Sequence, residues 1–161
     1  MIARDGAYAP DADAPSRARS IRRWLLLSGW LEIGLGVGHN ILATLIITRP
    51  ALVAPIVARM GWPTAILTPI TPPEQNALVL ATSLGSGTAW MLFGAILVWQ
   101  GLARAARPDV PLLTILLVHQ SIFLLLMALF VRFHVPAIAT VVLMTTATGA
   151  ALAKAPRRRA G

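Results

Sequence analysis

Apolar residues fall into four long runs, separated by stretches that are charged or rich in proline. The first run, Trp24 to Ile47, reads WLLLSGWLEIGLGVGHNILATLII. As a helix rising about 1.5 Å per residue, it is long enough to cross a hydrocarbon core of roughly 30 Å. Three more runs of spanning length follow at about 76–103, 111–133 and 136–153. The pattern predicts an all-α fold, a four-span transmembrane bundle over 24–153. Residues 1–23, dense in Ala, Pro, Asp and Arg, have too little apolar surface to offset the entropy of ordering and are expected to form a disordered basic tail. A second basic tail, 154–161, ends the chain.

The connections differ in kind. Residues 48–75 hold six prolines (Pro50, Pro55, Pro63, Pro69, Pro72 and Pro73), each lacking an N–H and disfavouring helix in the residue before it. A continuous span there is not expected. The loop is nevertheless apolar, with Met60 and Trp62, so it should lie in the membrane interface as a cap on the bundle, or dip in as a re-entrant lid. Arg104 to Asp109 make a short basic turn, and Pro136 begins the last span close behind the third, as an antiparallel hairpin requires.

Composition agrees with a membrane protein. Of 161 residues 57% are hydrophobic and 12% charged, against roughly 45–50% and about 25% in a soluble domain. The net charge of +8 sits at the ends of the apolar runs, not on one folded polar face, so nucleic acid is not an expected partner. Eleven Lys and Arg residues fall on the side of the two tails and the 104–109 turn, against Arg49, Arg59 and Arg132 on the other. By the positive-inside rule both termini are expected to be cytoplasmic, with an even number of crossings. Arg22, Arg23, Arg157, Arg158 and Arg159 are placed to meet anionic lipid head groups. The absence of cysteine excludes disulfides, thiolate metal sites, iron–sulfur clusters and thiol redox chemistry.

Candidate chemistry lies inside the spans, where ionisable side chains are costly and turn toward other helices or a wet cavity. Gly29, Glu32, Gly36, His39 and Ala43 share a face by their three- and four-residue spacing, with Asn40 beside it. Counting helical rise from the cytoplasmic end puts Glu32 and His119 at about 12 Å, near Gly94, Thr145 and Thr146. His39 and Asn40 lie about 10 Å higher, near Ser83, Ser86, Gly87 and Thr140. The candidate buried polar site is therefore Glu32, His39, Asn40, His119 and Gln120, with Ser83, Ser86, Thr140 and Thr145 as neighbours. Ser83, Gly87, Trp90 and Gly94 share one face of the second span, read as a tight helix contact or as a ligand groove. Axial haem ligation needs two histidines at one depth, whereas His39 and His119 are about 10 Å apart along the normal and His134 lies at the outer interface. No metal or cofactor is expected.

Several roles compete for the polar stripe. It fixes helix register, with Glu32 neutral or bonded to His119 and Gln120. Alternatively it exchanges protons in the transport of a small solute. An enzyme acting on a lipid or isoprenoid would use Glu32 and His119 as acid and base. An interaction subunit would use small residues, a homodimer through the GxxxG of Gly34 and Gly38 included. Four spans, GVGHN in the first and a second rich in Gly and Ser, resemble the small uncharacterised bacterial four-helix membrane proteins of DoxX-like type over residues 24–153. The resemblance implies architecture and carries over no functional residue.

Overall fold

The computed structural model describes residues 13–59, 73–130 and 135–156. They form α1 (Ala14–Thr48), α2 (Pro50–Arg59), α3 (Pro73–Ala103), α4 (Val110–Phe130) and α5 (Val135–Ala153), with no strand among them. Within α1, α3, α4 and α5 lie four segments long and apolar enough to cross a membrane, as the hydrophobic pattern predicts.

Every helix carries proline at its first or second position: Pro15, Pro50, Pro73, Pro111 and Pro136. The first N–H groups of a helix have no partner inside it, so a residue without one and with φ already near the helical value is suited there. Pro50 also acts backwards, since Arg49 before it leaves the helical region (φ −144°, ψ 59°) and ends α1. Two expectations change. The polar stretch 14–23 is helical, because it extends a helix already nucleated by its apolar part. Ten residues of the proline-rich loop form α2 despite Pro55, and Val53 is buried. Met60, Trp62 and His134 lie outside the described residues, as do residues 1–12 and 157–161.

Near the end of the bundle where α1 begins, Ile21 and Leu25 pack with Leu97, Leu113, Leu116 and Ala151, joining all four long helices in one apolar layer. Below it Gln100 Oε1 accepts the backbone N–H of Asp109 (3.2 Å), and Asp109 Oδ1 accepts that of Leu112 (3.1 Å). A side chain from α3 thus closes the cap of α4. Asp109→Ala should cost about 1 kcal/mol and Asp109→Asn much less, measured by thermal unfolding in detergent. Equal losses from both would mean that the cap is not what Asp109 contributes.

α1 packs most extensively on α3, through glycines facing backbone to backbone. A Cβ added to Gly29 would stand 2.6 Å from the Gly94 carbonyl oxygen, and one on Gly94 would stand 2.5 Å from that of Gly29. Gly36 abuts the Gly87 carbonyl in the same way. Gly29 and Gly36 are seven residues apart, as are Gly87 and Gly94, so the two close points repeat after two turns on an antiparallel seam. This is the tight-contact reading of the Ser83, Gly87, Trp90, Gly94 face. Gly34 and Gly38 have open space at their Cβ positions, on the outer side of α1 with exposed Trp30, Val37 and Ile41. Aromatic rings join α3 to α4: Trp90 on Phe123 (4.2 Å between centroids) and Phe93 on His119 (4.8 Å).

Candidate functional site

The buried face of α1 runs through Ile21, Leu25, Ser28, Gly29, Glu32, Gly36 and Ala43, so the polar stripe does turn inward. Glu32 is 1% exposed and Gln120 of α4 equally so. The Gln120 amide nitrogen donates to Glu32 Oε2 (3.1 Å) and to Ser28 Oγ (3.3 Å). Ser28 Oγ donates to the Met144 carbonyl of α5 (3.1 Å) and lies 2.8 Å from Thr148 Oγ1. Three helices therefore meet in one buried polar cluster: Ser28 and Glu32 from α1, Gln120 from α4, Met144 and Thr148 from α5. Hydrogen bonds are stronger in such a low-dielectric setting, and an unpaired polar atom costs more. Gln120 Oε1 is such an atom, buried without a partner among the described residues.

His119 is not in this cluster. Its ring packs edge-on against Phe93, so of the two partners expected for Glu32 the structure brings Gln120 and not His119 into the hydrogen-bonded cluster. Consecutive residues on a helix differ by only about 1.5 Å in depth but point about 100° apart. The α4 face set by Leu113, Leu116 and Gln120 is the buried one.

The upper set assembles between α1 and α3. His39 Nε2 lies 3.2 Å from Ser83 Oγ, and its ring is 5.6 Å from that of Trp90. Asn40 Nδ2 donates to Thr88 Oγ1 (3.4 Å), while Asn40 Oδ1 is buried beside Gly87 without a partner among the described residues. Of the remaining neighbours, Thr140 and Thr145 donate to the carbonyls of Pro136 and Val141 in their own helix and stay out of both sets. Ser86 is exposed on α3.

Ser28 and Thr148 were not among the sequence candidates for the site. Ser28 is one turn before Glu32, and the same four-residue spacing marks it. No local signal singles out Thr148 from the other threonines of α5. No group of three His, Cys, Asp or Glu side chains suited to a metal occurs among the described residues. Chemically the cluster can hold a proton on Glu32 and respond to it, because Glu32, Gln120 and the two hydroxyls are linked by hydrogen bonds. Comparison with protein-family models, curated proteins and solved structures finds no match to this chain, so its site is read from its own geometry.

Proposed function

We propose that this chain is a multi-pass protein of a bacterial inner membrane, with both termini cytoplasmic, in which Glu32 exchanges protons during proton-linked transport of a small solute. The observation that carries this reading is a buried carboxyl group inside a spanning segment, bonded to a neutral amide and paired with no basic side chain among the described residues. Structural carboxylates at such depth are normally held by a counter-cation, because an isolated buried charge is costly. A proton is the smallest cation able to fill that role and leave again. The eleven-to-three distribution of basic residues supports the orientation. Arg22 and Arg23, both exposed where α1 emerges, are offered to anionic head groups, with Arg157 to Arg159 of the tail.

The test is dissipation of an imposed pH gradient in proteoliposomes carrying a pH-sensitive dye, with the potential clamped, with and without small organic anions, cations and sugars. Wild-type protein should dissipate the gradient at least tenfold faster than protein-free vesicles. Glu32→Gln should fall to the protein-free rate, while His119→Phe, which keeps an aromatic edge against Phe93, should retain activity. Loss in His119→Phe with folding intact would place His119 on the proton path beside Glu32. An unaltered rate in Glu32→Gln would remove Glu32 from the mechanism.

The open Gly34 and Gly38 on the outer face of α1 favour a second reading, association with another membrane helix or a second copy. Gly38→Leu should then shift the oligomer to monomer in detergent with its unfolding temperature unchanged. An unaltered oligomeric state in that variant counts against the contact.

A further inference from the structure

The hydrogens in the Glu32 cluster can be assigned one by one. The Gln120 amide has two, and both are used, toward Glu32 Oε2 and Ser28 Oγ. The Met144 carbonyl only accepts, so the single Ser28 hydrogen goes to it. With that hydrogen spent, Ser28 can only accept from Thr148, which makes Thr148 the donor of their 2.8 Å bond. This diverts Thr148 from its own helix. Thr44, Thr48, Thr88, Thr114, Thr140 and Thr145 each donate to the carbonyl four residues earlier. The carbonyl four residues before Thr148 is that of Met144, the one Ser28 has taken. One acceptor is left over, the buried Gln120 Oε1.

This arrangement suits a Glu32 that only accepts. A protonated Glu32 gains an O–H that needs an acceptor, and the amide hydrogens facing it are donors. Turning the Gln120 amide over presents Oε1 to Glu32 and Ser28 together, and its two lone pairs serve both. We propose that proton binding at Glu32 reverses the Gln120 amide, draws the Ser28 hydroxyl from α5 to α4, and lets Thr148 close onto the Met144 carbonyl. The proton thereby releases the two hydrogen bonds by which Ser28 holds α1 to α5, while the two α1–α4 bonds of the Gln120 amide are kept with their direction reversed. The inference rests on the proton-exchange reading and states how the bundle registers the proton.

Other titratable groups do not face the cluster among the described residues. On α1, His39 is about 10 Å further along and engaged with Ser83. Arg22 and Arg23 are exposed near its start. On α4, His119 is turned to Phe93. α5 has no titratable residue, and α3 has only Glu74, at its far end.

The experiment follows the full chain in lipid vesicles by infrared difference spectroscopy and solid-state nuclear magnetic resonance across a pH series. The chain has two glutamates, so Glu74→Ala leaves Glu32 as the only labelled one without touching the cluster. The expected result is that the Gln120 side-chain amide and the Thr148 Cβ signals move together with the Glu32 carboxyl, at one midpoint. Gln100, bonded to the Asp109 N–H, serves as an unmoving control. In Ser28→Ala the Glu32 and Gln120 signals should still move, while Thr148 becomes independent of pH, already closed on its own helix. A Glu32 carboxyl that titrates beside a static Gln120 amide overturns the inference alone. A Glu32 carboxyl that does not change over the series overturns both the inference and the proton-exchange reading. If Ser28→Ala fails to fold, the co-movement of Thr148 and Gln120 in the otherwise native cluster decides the matter.

Discussion

Leucine at Gly36 or Gly94 should separate α1 from α3 and unfold the bundle, while leucine at Gly34 or Gly38 should leave the monomer as stable as before. At Gly94 the atoms in the way are the backbone oxygen of Gly29, 2.5 Å from the added Cβ, and the backbone nitrogen of Ile33, 2.8 Å away. Neither can rotate aside as a side chain would, so the helices themselves must part. Their attraction depends on short-range packing, which falls steeply with a radial gap of 0.5–1 Å, and no water is released between helices in lipid to compensate. Alanine should already cost about 1–3 kcal/mol at these two sites, with leucine costing more. At Gly34 and Gly38 nothing stands within 4 Å of the added atom, and changes there should stay within about 0.5 kcal/mol. Thermal unfolding in detergent, followed by circular dichroism, measures the contrast. Equal losses at Gly34 and Gly36 would mean that α1 is turned differently in the bundle.

That contrast also shows what the sequence made legible. Period and length were enough for the four spans, and the three-four spacing of Gly29, Glu32, Gly36 and Ala43 identified the buried face of α1. Depth counted along each helix brought His39 to Ser83 and Glu32 to the level of residues 119 and 120. It could not choose between those two, because they differ in azimuth and hardly in depth. α4 is apolar all round, so its sequence marks no face, and its rotation is set by how Leu113 and Leu116 pack. The glycines of α1 present the same difficulty. Gly34 and Gly38 have the familiar four-residue spacing and face outward, whereas the contact uses Gly29 and Gly36, spaced by seven. Helix starts were readable in principle from the five prolines, but in residues 48–75 the same residues read as breakers. Position within a helix decides which role a proline plays, and that position depends on where packing lets the helix begin.

Removing both partners of the Glu32–Gln120 bond should cost less than the sum of removing each alone. In Gln120→Leu the Glu32 carboxyl keeps its burial and loses the amide hydrogen at 3.1 Å, and in Glu32→Leu the amide is left with a donor facing apolar atoms. Each single change is expected to destabilise by about 1–3 kcal/mol, the cost of an unsatisfied buried polar group. The pair Glu32→Leu with Gln120→Leu leaves no such orphan between them, so its loss should fall at least about 1 kcal/mol below the sum of the single losses. The same double variant separates holding the bundle together from moving protons. If the cluster serves only to fix register, a stable double variant keeps whatever activity the native protein shows in the pH-gradient assay. If Glu32 carries the proton, the double variant is folded and inactive, because leucine fills the space but offers no site for the charge. A double variant that both folds and dissipates the gradient at the native rate would assign Glu32 to architecture alone. A polar cluster that is dispensable for folding yet required for flux would be there for the proton.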